Sequence, residues 1–471
     1  MISAARQRTN YVVGDYLSTN VAWFAFTVIR YNLGAGAYPE SFWQWFGFTN
    51  VWASQILVPV MMMGLYALSG FYNRVFFKSR LQEILTTAAS ALIGTLIIFF
   101  VALVNDLSER FITYETMLIL FSCLFAIVYT VRAVTTGIAS RNIHNRNWQF
   151  NTLIVGTSEQ AIALERKLRT MSRSMGFNTV GFVNMSAAPV SPEIDDLPVY
   201  DFDNIANVCQ QLDIRNLILV PHRDGISHTV DVINRLFPLD LPILIPLSLY
   251  HLITTRARTS NIAGEPLIDI SAPEIPDSTL NLKRVSDIVL SAIALTLLSP
   301  VLAAIAIAIR RDSKGPVIYS QERIGYHKKK FKIYKFRSMR HNAEAETGPT
   351  LSSENDERVT RIGHFLRKYR LDELPQFWNV LRGDMSLVGP RPEREYFVKQ
   401  IAAQAPYYSL IHQVRPGITS WGMVKYGYAG SVDQMIERLS YDLLYLDNVS
   451  MIVDLKILFY TVNTVLTGKG V

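Results

Sequence analysis

The chain has 471 residues, which is too long for one ordinary domain, so two or three folded units are expected. Apolar residues make up 49% of it and charged residues 18%, and the mean hydropathy is +0.18, a balance that disfavours a purely soluble protein. The net charge of +7 suits an anionic partner such as lipid headgroups or a phosphate-bearing substrate, and the two cysteines give no disulfide framework.

Four long apolar stretches occupy the first third of the chain, at residues 11–29, 51–68, 84–104 and 117–131. Each approaches the roughly 20 residues that a helix needs to cross a membrane. Cations dominate before the first stretch and after the second and fourth, whereas acids collect in the other two loops. The cations are Arg6, Arg8, Arg74, Lys78, Arg80, Arg132, Arg141 and Arg146, and the acids are Glu40, Asp106, Glu109 and Glu115. We therefore predict a four-span transmembrane helical domain, residues 1–147, with both ends in the cytoplasm.

Asp15 and Gln55 are polar residues inside these apolar stretches. A polar residue at membrane depth can mark a functional site. We expect both side chains instead to pack against neighbouring helices.

From Trp148 onward the pattern changes to strands alternating with helices, at 151–155, 177–184, 216–221 and 241–247. This alternation is typical of a parallel, Rossmann-like α/β sheet, which we assign to residues 148–248. Gly156 and Ala161 match the ends of a dinucleotide-binding fingerprint, but Ser158 replaces its middle glycine and no acid follows the second strand. A structural or regulatory role is therefore favoured over a dinucleotide site. Residues 249–279, interrupted by prolines, are expected to form a linker.

A fifth apolar run follows at residues 288–309, inside a predicted helix that covers residues 282–310. Lys283 and Arg284 precede it and further cations follow it, so both of its ends should stay in the cytoplasm. Pro300 should break the helix, and the Ser299 hydroxyl can bond a carbonyl that the break releases. We predict a re-entrant membrane helix with its kink at Ser299-Pro300. An ordinary kinked fifth span is the alternative.

The segment after this helix alternates apolar and basic residues between positions 317 and 336, which predicts a short strand pair. The Lys328–Lys330 cluster is expected to adhere to anionic lipid. Lys335 and Arg337 stand among aromatic residues and are better candidates for binding phosphate.

The string LDELPQFWNVLRGD predicts a short helix, with Pro375 in its first turn and Gly383 just past its end. Asp372 and Glu373 would then lie at the helix N-terminus, where the helix dipole and nearby arginines favour ionised carboxylates. An ionised Asp372 suits a nucleophile or a metal ligand. Adjacent carboxylates with arginines that absorb phosphate charge fit Mg²⁺-dependent phosphoryl transfer.

The strings KFRSM, LRKYRLDELPQFWNVLRGDMSLVGPRP and RPGITSWGMVKY, after an apolar helix containing Leu-Ser-Pro, closely resemble one catalytic domain. It is that of bacterial polyisoprenyl-phosphate hexose-1-phosphate transferases, and the resemblance covers residues 280–471. It implies an α+β catalytic domain that transfers hexose-1-phosphate from a UDP-hexose (glucose or galactose) to undecaprenyl phosphate and releases UMP. This is the first membrane step of exopolysaccharide, capsule or O-antigen synthesis. Four spans and a Rossmann-like domain ahead of it resemble the large members of the family.

The resemblance also implies roles for individual residues. The aspartate of the family's acid pair is a covalent nucleophile, here Asp372, and its glutamate, here Glu373, is tied to Mg²⁺, with Asp372 as the second metal-binding carboxylate. The expected substrate-binding cations are Lys335, Arg337, Arg367, Arg370, Arg391 and Arg415. The expected location is the bacterial inner membrane, in contact with inner-leaflet lipids and with the soluble domains in the cytoplasm. Dimerisation is compatible with the sequence, and no nucleic-acid partner is expected.

Two other functions remain open at this stage. A membrane-bound NAD-dependent nucleotide-sugar dehydratase would need an intact glycine fingerprint and a Tyr-x-x-x-Lys motif in the Rossmann-like domain, but the match from Tyr326 to Lys330 falls outside it. A non-catalytic scaffold for polysaccharide assembly would not depend on Asp372. The C-terminal segment MIVDLKILFYTVNTVL has helical spacing and suits either a membrane-surface helix or a core-packed one.

Overall fold

The structure is a computed structural model. It describes residues 4–33, 41–48, 51–73, 75–76, 78, 80–103, 110–185, 193–220, 232–246, 267–269, 275–340, 356, 358–427 and 429–467. Three regions follow one another: the N-terminal helices (residues 4–144), the sheet region (150–269) and the C-terminal region (277–467). The loop residues Glu40, Arg74, Asp106 and Glu109 and most of the expected linker lie outside the described residues.

The N-terminal helices are α1 (Ala4–Leu33), α2 (Phe42–Phe48), α3 (Val51–Leu68), α4 (Arg80–Ile98) and α5 (Arg110–His144). Four segments are long and apolar enough to cross a membrane, namely Ala4–Leu33, Val51–Leu68, Arg80–Val101 and Tyr114–His144. The four predicted spans are therefore confirmed as candidate membrane helices. Their outer surface carries exposed apolar side chains such as Val13, Leu57 and Leu118, which suits contact with lipid tails.

A buried ion pair joins α1 to α5. Arg132 donates two hydrogen bonds to the Asp15 carboxylate at 2.8 and 2.7 Å, and Tyr72 donates a third at 2.8 Å. Arg132 is therefore not a charge in the loop after the fourth span, as predicted, but a fully buried residue within α5. Asp15 packs against its neighbouring helices as expected, and Gln55 donates to the backbone carbonyl of Asn20 on α1 at 2.7 Å.

The sheet region contains a seven-stranded sheet in the order β3-β4-β2-β1-β5-β6-β7. The five inner strands are parallel, and β3 and β7 pair antiparallel at the two edges. The strands are β1 (Phe150–Val155), β2 (Phe177–Asn184), β3 (Glu193–Ile194), β4 (Leu197–Asp201), β5 (Asn216–Leu219), β6 (Ile243–Pro246) and β7 (Leu267–Asp269), with helices α6 (Glu159–Thr170) and α7 (Ile205–Gln211). The four predicted strands and the helix after the first are confirmed.

The turn after β1 carries the partial glycine fingerprint. Gly156 has φ +132°, and a Cβ there would lie 2.8 Å from the Val220 carbonyl oxygen, so close packing against the end of β5 requires glycine. Ser158 caps α6 by accepting a hydrogen bond from the Ala161 amide at 3.3 Å. Ser158, which replaces the middle glycine of the fingerprint, thus pairs with one of the free backbone N–H groups at the helix N-terminus.

A bent pair of apolar helices opens the C-terminal region. Helix α8 (Asp277–Leu297) and helix α9 (Ser299–Asp312) meet at an angle of 61°. The break follows from Pro300, which has no N–H, and the Ser299 hydroxyl donates to the released Thr296 carbonyl at 2.8 Å. The kink predicted at Ser299-Pro300 is confirmed. By length and composition the pair counts as a fifth candidate membrane segment.

The rest of the C-terminal region packs around short elements. An antiparallel hairpin and a parallel strand pair lie among six helices in the described residues. The strands are β8 (Ile318–Ile324), β9 (Lys330–Phe336), β10 (Ser386–Val388) and β11 (Gly417–Thr419), and the helices are α10 (Arg361–Lys368), α11 (Gln376–Arg382), α12 (Glu395–Gln404), α13 (Trp421–Lys425), α14 (Val432–Asp447) and α15 (Met451–Leu466). The predicted strand pair at 317–336 is confirmed.

The basic turn between β8 and β9 contacts the sheet region. Asp240 accepts hydrogen bonds from Lys329, at 2.5 Å, and from His327, and Lys328 donates to the Asn234 carbonyl at 2.8 Å. Lys330 pairs with Glu322 and Glu395. These contacts offset part of the charge of Lys328–Lys330, and the expected adhesion of this cluster to anionic lipid stays a prediction.

Replacing Asp240 with asparagine should loosen this contact. Both residue types tolerate the left-handed backbone at this position, where φ is +58°, so the substitution removes mainly the charge. We expect faster amide hydrogen exchange in residues 326–330, with a change of less than about 1 kcal/mol in overall stability. Asp213→Asn is the matched control, since Asp213 is also left-handed but pairs with Arg215. Unchanged hydrogen exchange in residues 326–330 would show that Asp240 does not hold this turn against the sheet region.

Candidate active site

The acid pair lies in a 3₁₀ turn, Leu371–Glu373, that directly precedes α11. The predicted short helix is confirmed over Gln376–Arg382, with Pro375 before it and Gly383 at φ +94° after it. Asp372 and Glu373 therefore lie in the turn before the helix, and not at the N-terminus of the helix as predicted. Asn379 on α11 fixes the turn relative to β9, because its side chain donates to the Lys332 carbonyl at 2.7 Å and accepts from the Tyr334 amide at 3.0 Å.

Three cations from separate elements surround Glu373. Lys335 on β9 donates to its carboxylate at 2.7 Å, Arg391 lies 3.6 Å away, and Arg370 lies 3.7 Å away. Asp372 and Glu373 are each only 8% exposed. Because charges removed from water interact strongly, these contacts decide the protonation of both acids.

The two neighbouring acids titrate in opposite directions. Burial raises the pKa of Asp372 to about 6, with Lys335 opposing the rise and Glu373 adding to it. Burial also acts on Glu373, but Lys335, Arg391 and Arg370 outweigh it and lower the pKa of that carboxyl. The predicted ionised state of Asp372 agrees with a pKa of about 6 at neutral pH, but burial outweighs the nearby arginines, which lower this pKa. Adjacent acids with divergent pKa values are typical of sites that divide chemical roles.

Arg391 is supported by a buried carboxylate that the sequence analysis missed. Glu393 accepts from Arg438 at 2.8 Å and from Arg323 at 3.2 Å, and it lies 3.9 Å from Arg391. Burial opposes ionisation of Glu393, but these arginines lower its pKa. The available signal was its position directly after Pro390-Arg391-Pro392, where an acid among cations would be expected to pair.

The structure places the other three predicted substrate cations in different surroundings. Arg367 contributes charge at Asp372 while donating to the Ser338 hydroxyl at 3.0 Å. Arg415 donates to the Gly383 carbonyl at 3.0 Å, at the end of α11. Arg337 is buried and donates to the Ser313 and Lys314 carbonyls at 2.7 and 3.0 Å, after the end of α9. These contacts indicate that Arg337 anchors the apolar helix, in contrast to the predicted phosphate contact.

The basic residues at the start of α8 also form contacts within the protein. Lys283 donates to Asp454 on α15 at 2.5 Å, and Arg284 donates to the Val380 carbonyl of α11 at 2.7 Å. Asp287, one turn further on, accepts from the Leu387 amide at 3.1 Å. The bent helix pair is therefore fixed to the same α11 that follows the acid pair.

The donor set of the site suits a hard cation that keeps other ligands. Asp372 and Glu373 supply carboxylate oxygens, and Mg²⁺ commonly takes one or two carboxylates together with waters and substrate phosphates. Within the described residues, no group of three or more His, Cys, Asp and Glu side chains could hold a metal by itself. The residues fit a magnesium ion shared with a phosphate-bearing substrate.

The protein thus combines candidate membrane helices with a buried acid pair that cations surround, which is the class of protein that the fold and the site define. Comparison with known families gives a match to the bacterial sugar transferase model over residues 278–468. Together with the relatives below, this match shows that the chain belongs to the bacterial sugar transferase family.

Three curated relatives illustrate the similarity. A UDP-N-acetylgalactosamine-undecaprenyl-phosphate N-acetylgalactosaminephosphotransferase from Aeromonas hydrophila is 47% identical over 40% of this chain and 44% of its own length. A UDP-galactose-lipid carrier transferase from Erwinia amylovora is 31% identical over 69% of each chain. An exopolysaccharide production protein PSS from Rhizobium leguminosarum is 41% identical over 41% of this chain and 98% of its own length.

The matched segment spans less than half of the length of several curated relatives, the Aeromonas protein among them. Among solved structures, a UDP-D-quinovosamine 4-dehydrogenase from Vibrio fischeri aligns with a TM-score of 0.20 and 16% identity, over 22% of this chain and 84% of that one. This similarity is too low to bear on fold or function.

Proposed function

We propose that this protein transfers hexose-1-phosphate from a UDP-hexose to undecaprenyl phosphate and releases UMP. The observation that carries the proposal is the buried Asp372–Glu373 pair, with its divergent pKa values and its ring of Lys335, Arg370 and Arg391. The names of the similar proteins support the same donor and acceptor classes. Phosphoryl transfer depends mainly on positioning and on charge stabilisation, which such a site can supply.

Asp372 acts as the nucleophile in this mechanism. One of its carboxylate oxygens attacks the phosphorus that bears the hexose, and the bond from this phosphorus to the UMP oxygen breaks. A phosphate oxygen of undecaprenyl phosphate then attacks the same phosphorus, and the Asp372 carboxylate leaves unchanged. Splitting the transfer into two displacements is ordinary nucleophilic catalysis.

The surrounding residues keep charge in place during both displacements. Lys335, Arg370 and Arg391 offset negative charge on the phosphates, and Glu393 orients Arg391. Magnesium, when held by Glu373 with Asp372, would neutralise part of the diphosphate charge of the donor. The low pKa of Glu373 keeps this carboxylate ionised for that purpose.

The membrane arrangement that we propose is a re-entrant one, in the bacterial inner membrane with the soluble parts in the cytoplasm. The 61° bend between α8 and α9, with cations in the outer turns of both helices, supports a helix pair that enters one leaflet and returns. Exposed apolar side chains on both arms, such as Leu290, Leu297 and Ile307, suit lipid contact. This arrangement lets a cytosolic sugar nucleotide and a lipid phosphate reach the same carboxylate.

We further propose the domain division 1–147, 148–248, a linker 249–279, and a catalytic domain 280–471. The parallel strand order of the sheet region supports a Rossmann-like middle domain. Ser158 caps the N-terminus of α6, and Asp240 contacts the turn between β8 and β9 of the catalytic domain. A structural or regulatory role therefore fits the middle domain best.

The direct test incubates purified full-length protein and Mg²⁺ with undecaprenyl phosphate and a panel of UDP-sugars, and measures UMP release and the lipid product. UMP release that depends on both substrates is the expected result, and the preferred sugar identifies the hexose. Absence of release with every sugar would overturn the proposal. A change in NADH absorbance with a UDP-sugar would point instead to dehydratase or dehydrogenase chemistry.

The pH dependence of the reaction gives a separate prediction. Asp372 must be ionised to attack, so kcat/KM for the donor should reach a plateau at neutral pH, be half of that value at a pH of about 6, and fall toward tenfold per pH unit below it. Unfolding at this group would not explain the loss: its pKa is raised in the folded state, so protonation near pH 6 favours folding. A pH profile with far-UV circular dichroism at each pH makes the measurement. An acid limb near pH 4 would contradict the assigned role of Asp372.

A further inference from the structure

A cavity of about 140 Å³ lies directly beside the acid pair. Glu373 and Arg370 contribute to its lining, and most of the remaining wall is apolar. The apolar wall comes from the 3₁₀ turn and α11, from β11 and α13, and from the last helix, through Leu374, Phe377, Ile418, Met423, Val424 and Val465. Elements distant in sequence thus enclose one hydrocarbon-lined space next to the charged site.

The polar side chains of the wall are already paired. The Thr419 and Thr461 hydroxyls bond each other at 2.8 Å, Thr461 also donates to the Ile457 carbonyl, and Thr464 donates to the Tyr460 carbonyl at 3.0 Å. A site that recognises a sugar or a uracil ring needs free donors and acceptors. These threonine hydroxyls bond within the protein, and the rest of the wall is mostly apolar, which suits a hydrocarbon group.

The cavity lies against the inner face of a helix whose outer face is apolar. Thr461, Thr464 and Val465 belong to α15 and lie on the same face of this helix as the buried residues Asp454 and Ile457. The exposed side of α15 carries Leu455, Phe459 and Leu466, with exposures of 62%, 73% and 76%. The cavity is therefore lined by a helix whose outer side suits contact with lipid.

We infer that this cavity binds the isoprene group nearest the phosphate of the acceptor lipid, so that the hydrocarbon chain positions the phosphate beside Asp372. The inference rests on the proposed function. An apolar cavity of about 150 Å³ accepts a molecule the size of benzene, and an isoprene group is of similar size. The neighbouring cations Arg370 and Lys335 are placed to meet the phosphate that follows the isoprene group.

The test fills the cavity from α15. Val465→Phe adds a ring on the lining side, and Val462→Phe adds the same ring on the exposed side as the matched control. We expect Val465→Phe to lower kcat/KM for undecaprenyl phosphate about tenfold or more, and to change the KM of the UDP-hexose by less than about twofold. Val462→Phe should leave both constants close to those of the unmodified protein.

A second measurement does not depend on a variant that folds. A short isoprenoid phosphate carrying a diazirine at its first isoprene group is photolysed with the unmodified protein in detergent, and the labelled peptides are identified. Labels on residues 371–377, 417–424 or 461–465 are expected. Labels elsewhere would overturn the inference, as would a Val465→Phe variant whose defect appears in the KM of the UDP-hexose.

The two proposals fail in different ways. The unmodified protein could transfer hexose phosphate while Val465→Phe has no effect on the use of undecaprenyl phosphate and the diazirine labels no lining residue. In that case the inference about the lipid site is wrong and the proposed function stands. If no transfer occurs, the proposed function is wrong, and labelling still reports whether an isoprenoid phosphate occupies the cavity.

Discussion

Asp372→Asn should abolish transfer, with a loss of at least about a thousandfold in UMP release, because the amide nitrogen and oxygen cannot replace a carboxylate nucleophile. The unmodified protein should also gain the mass of one hexose phosphate when incubated with donor and Mg²⁺ alone, and the variant should not. Intact-protein mass spectrometry after acid quenching checks the adduct. Steady-state UMP release checks the rate.

The same substitution should leave folding intact. Burial raises the pKa of Asp372, so at neutral pH its ionised form lowers the stability of the folded protein, and a neutral amide should keep or raise the melting temperature. Asp384→Asn is the control, since Asp384 lies beyond α11, pairs with Arg382 and should tolerate the change with less than about a tenfold loss. Adduct formation in Asp372→Asn, or substantial residual turnover, would contradict the nucleophile assignment.

Hydropathy and local chemistry were enough to predict the membrane helices and the bend at Ser299-Pro300. Each depends on neighbouring residues only: a run of apolar side chains long enough to span, or a proline that removes one backbone donor. The pairing of Asp15 with Arg132 could not be predicted in this way, because it joins two helices whose contact depends on the folded bundle. The same limit hid the contact between Asp240 and the turn that joins β8 to β9.

The acid pair was identifiable from its motif, but its electrostatics were not. Nearby arginines in the sequence suggested a lowered pKa at Asp372, whereas the folded chain buries this carboxylate beside Glu373 and directs most of the cation contacts to the glutamate. Burial is a property of the assembled site, so the sequence could not weigh it against charge. Arg337 was expected to bind phosphate because it is a cation among aromatic residues. In the folded chain its guanidinium donates to the Ser313 and Lys314 carbonyls, which are distant in sequence.

Cation placement at this site also separates the two acids chemically. Glu373 has direct contacts with Lys335, Arg370 and Arg391, which hold it ionised as a fixed charge. Asp372 experiences these cations less strongly than it experiences burial, so its carboxylate stays more basic. A more basic oxygen is a better nucleophile as long as it remains ionised at working pH, and a pKa of about 6 meets both conditions.

Lys335 is the strongest charge acting on both acids, so Lys335→Met should disturb catalysis and titration together. Removal of its ammonium group takes away a 2.7 Å contact to Glu373 and a stabilising charge near Asp372, and the pKa of both carboxyls should rise. We expect a loss of about a hundredfold in kcat/KM at neutral pH, and an acid limb displaced to higher pH. The displaced limb separates an electrostatic role from a merely structural one, which would lower activity equally at every pH.

Lys332→Met on the same strand is the matched control, because Lys332 is exposed and should leave the limb near pH 6. Lys335→Arg should restore part of the activity and return the limb toward its original position, since a guanidinium keeps the charge but not the geometry of the ammonium. An unchanged limb in Lys335→Met would mean that Lys335 does not set the protonation of Asp372. The division of roles between the two acids would then have to come from Arg370 and Arg391, the other cations in contact with Glu373.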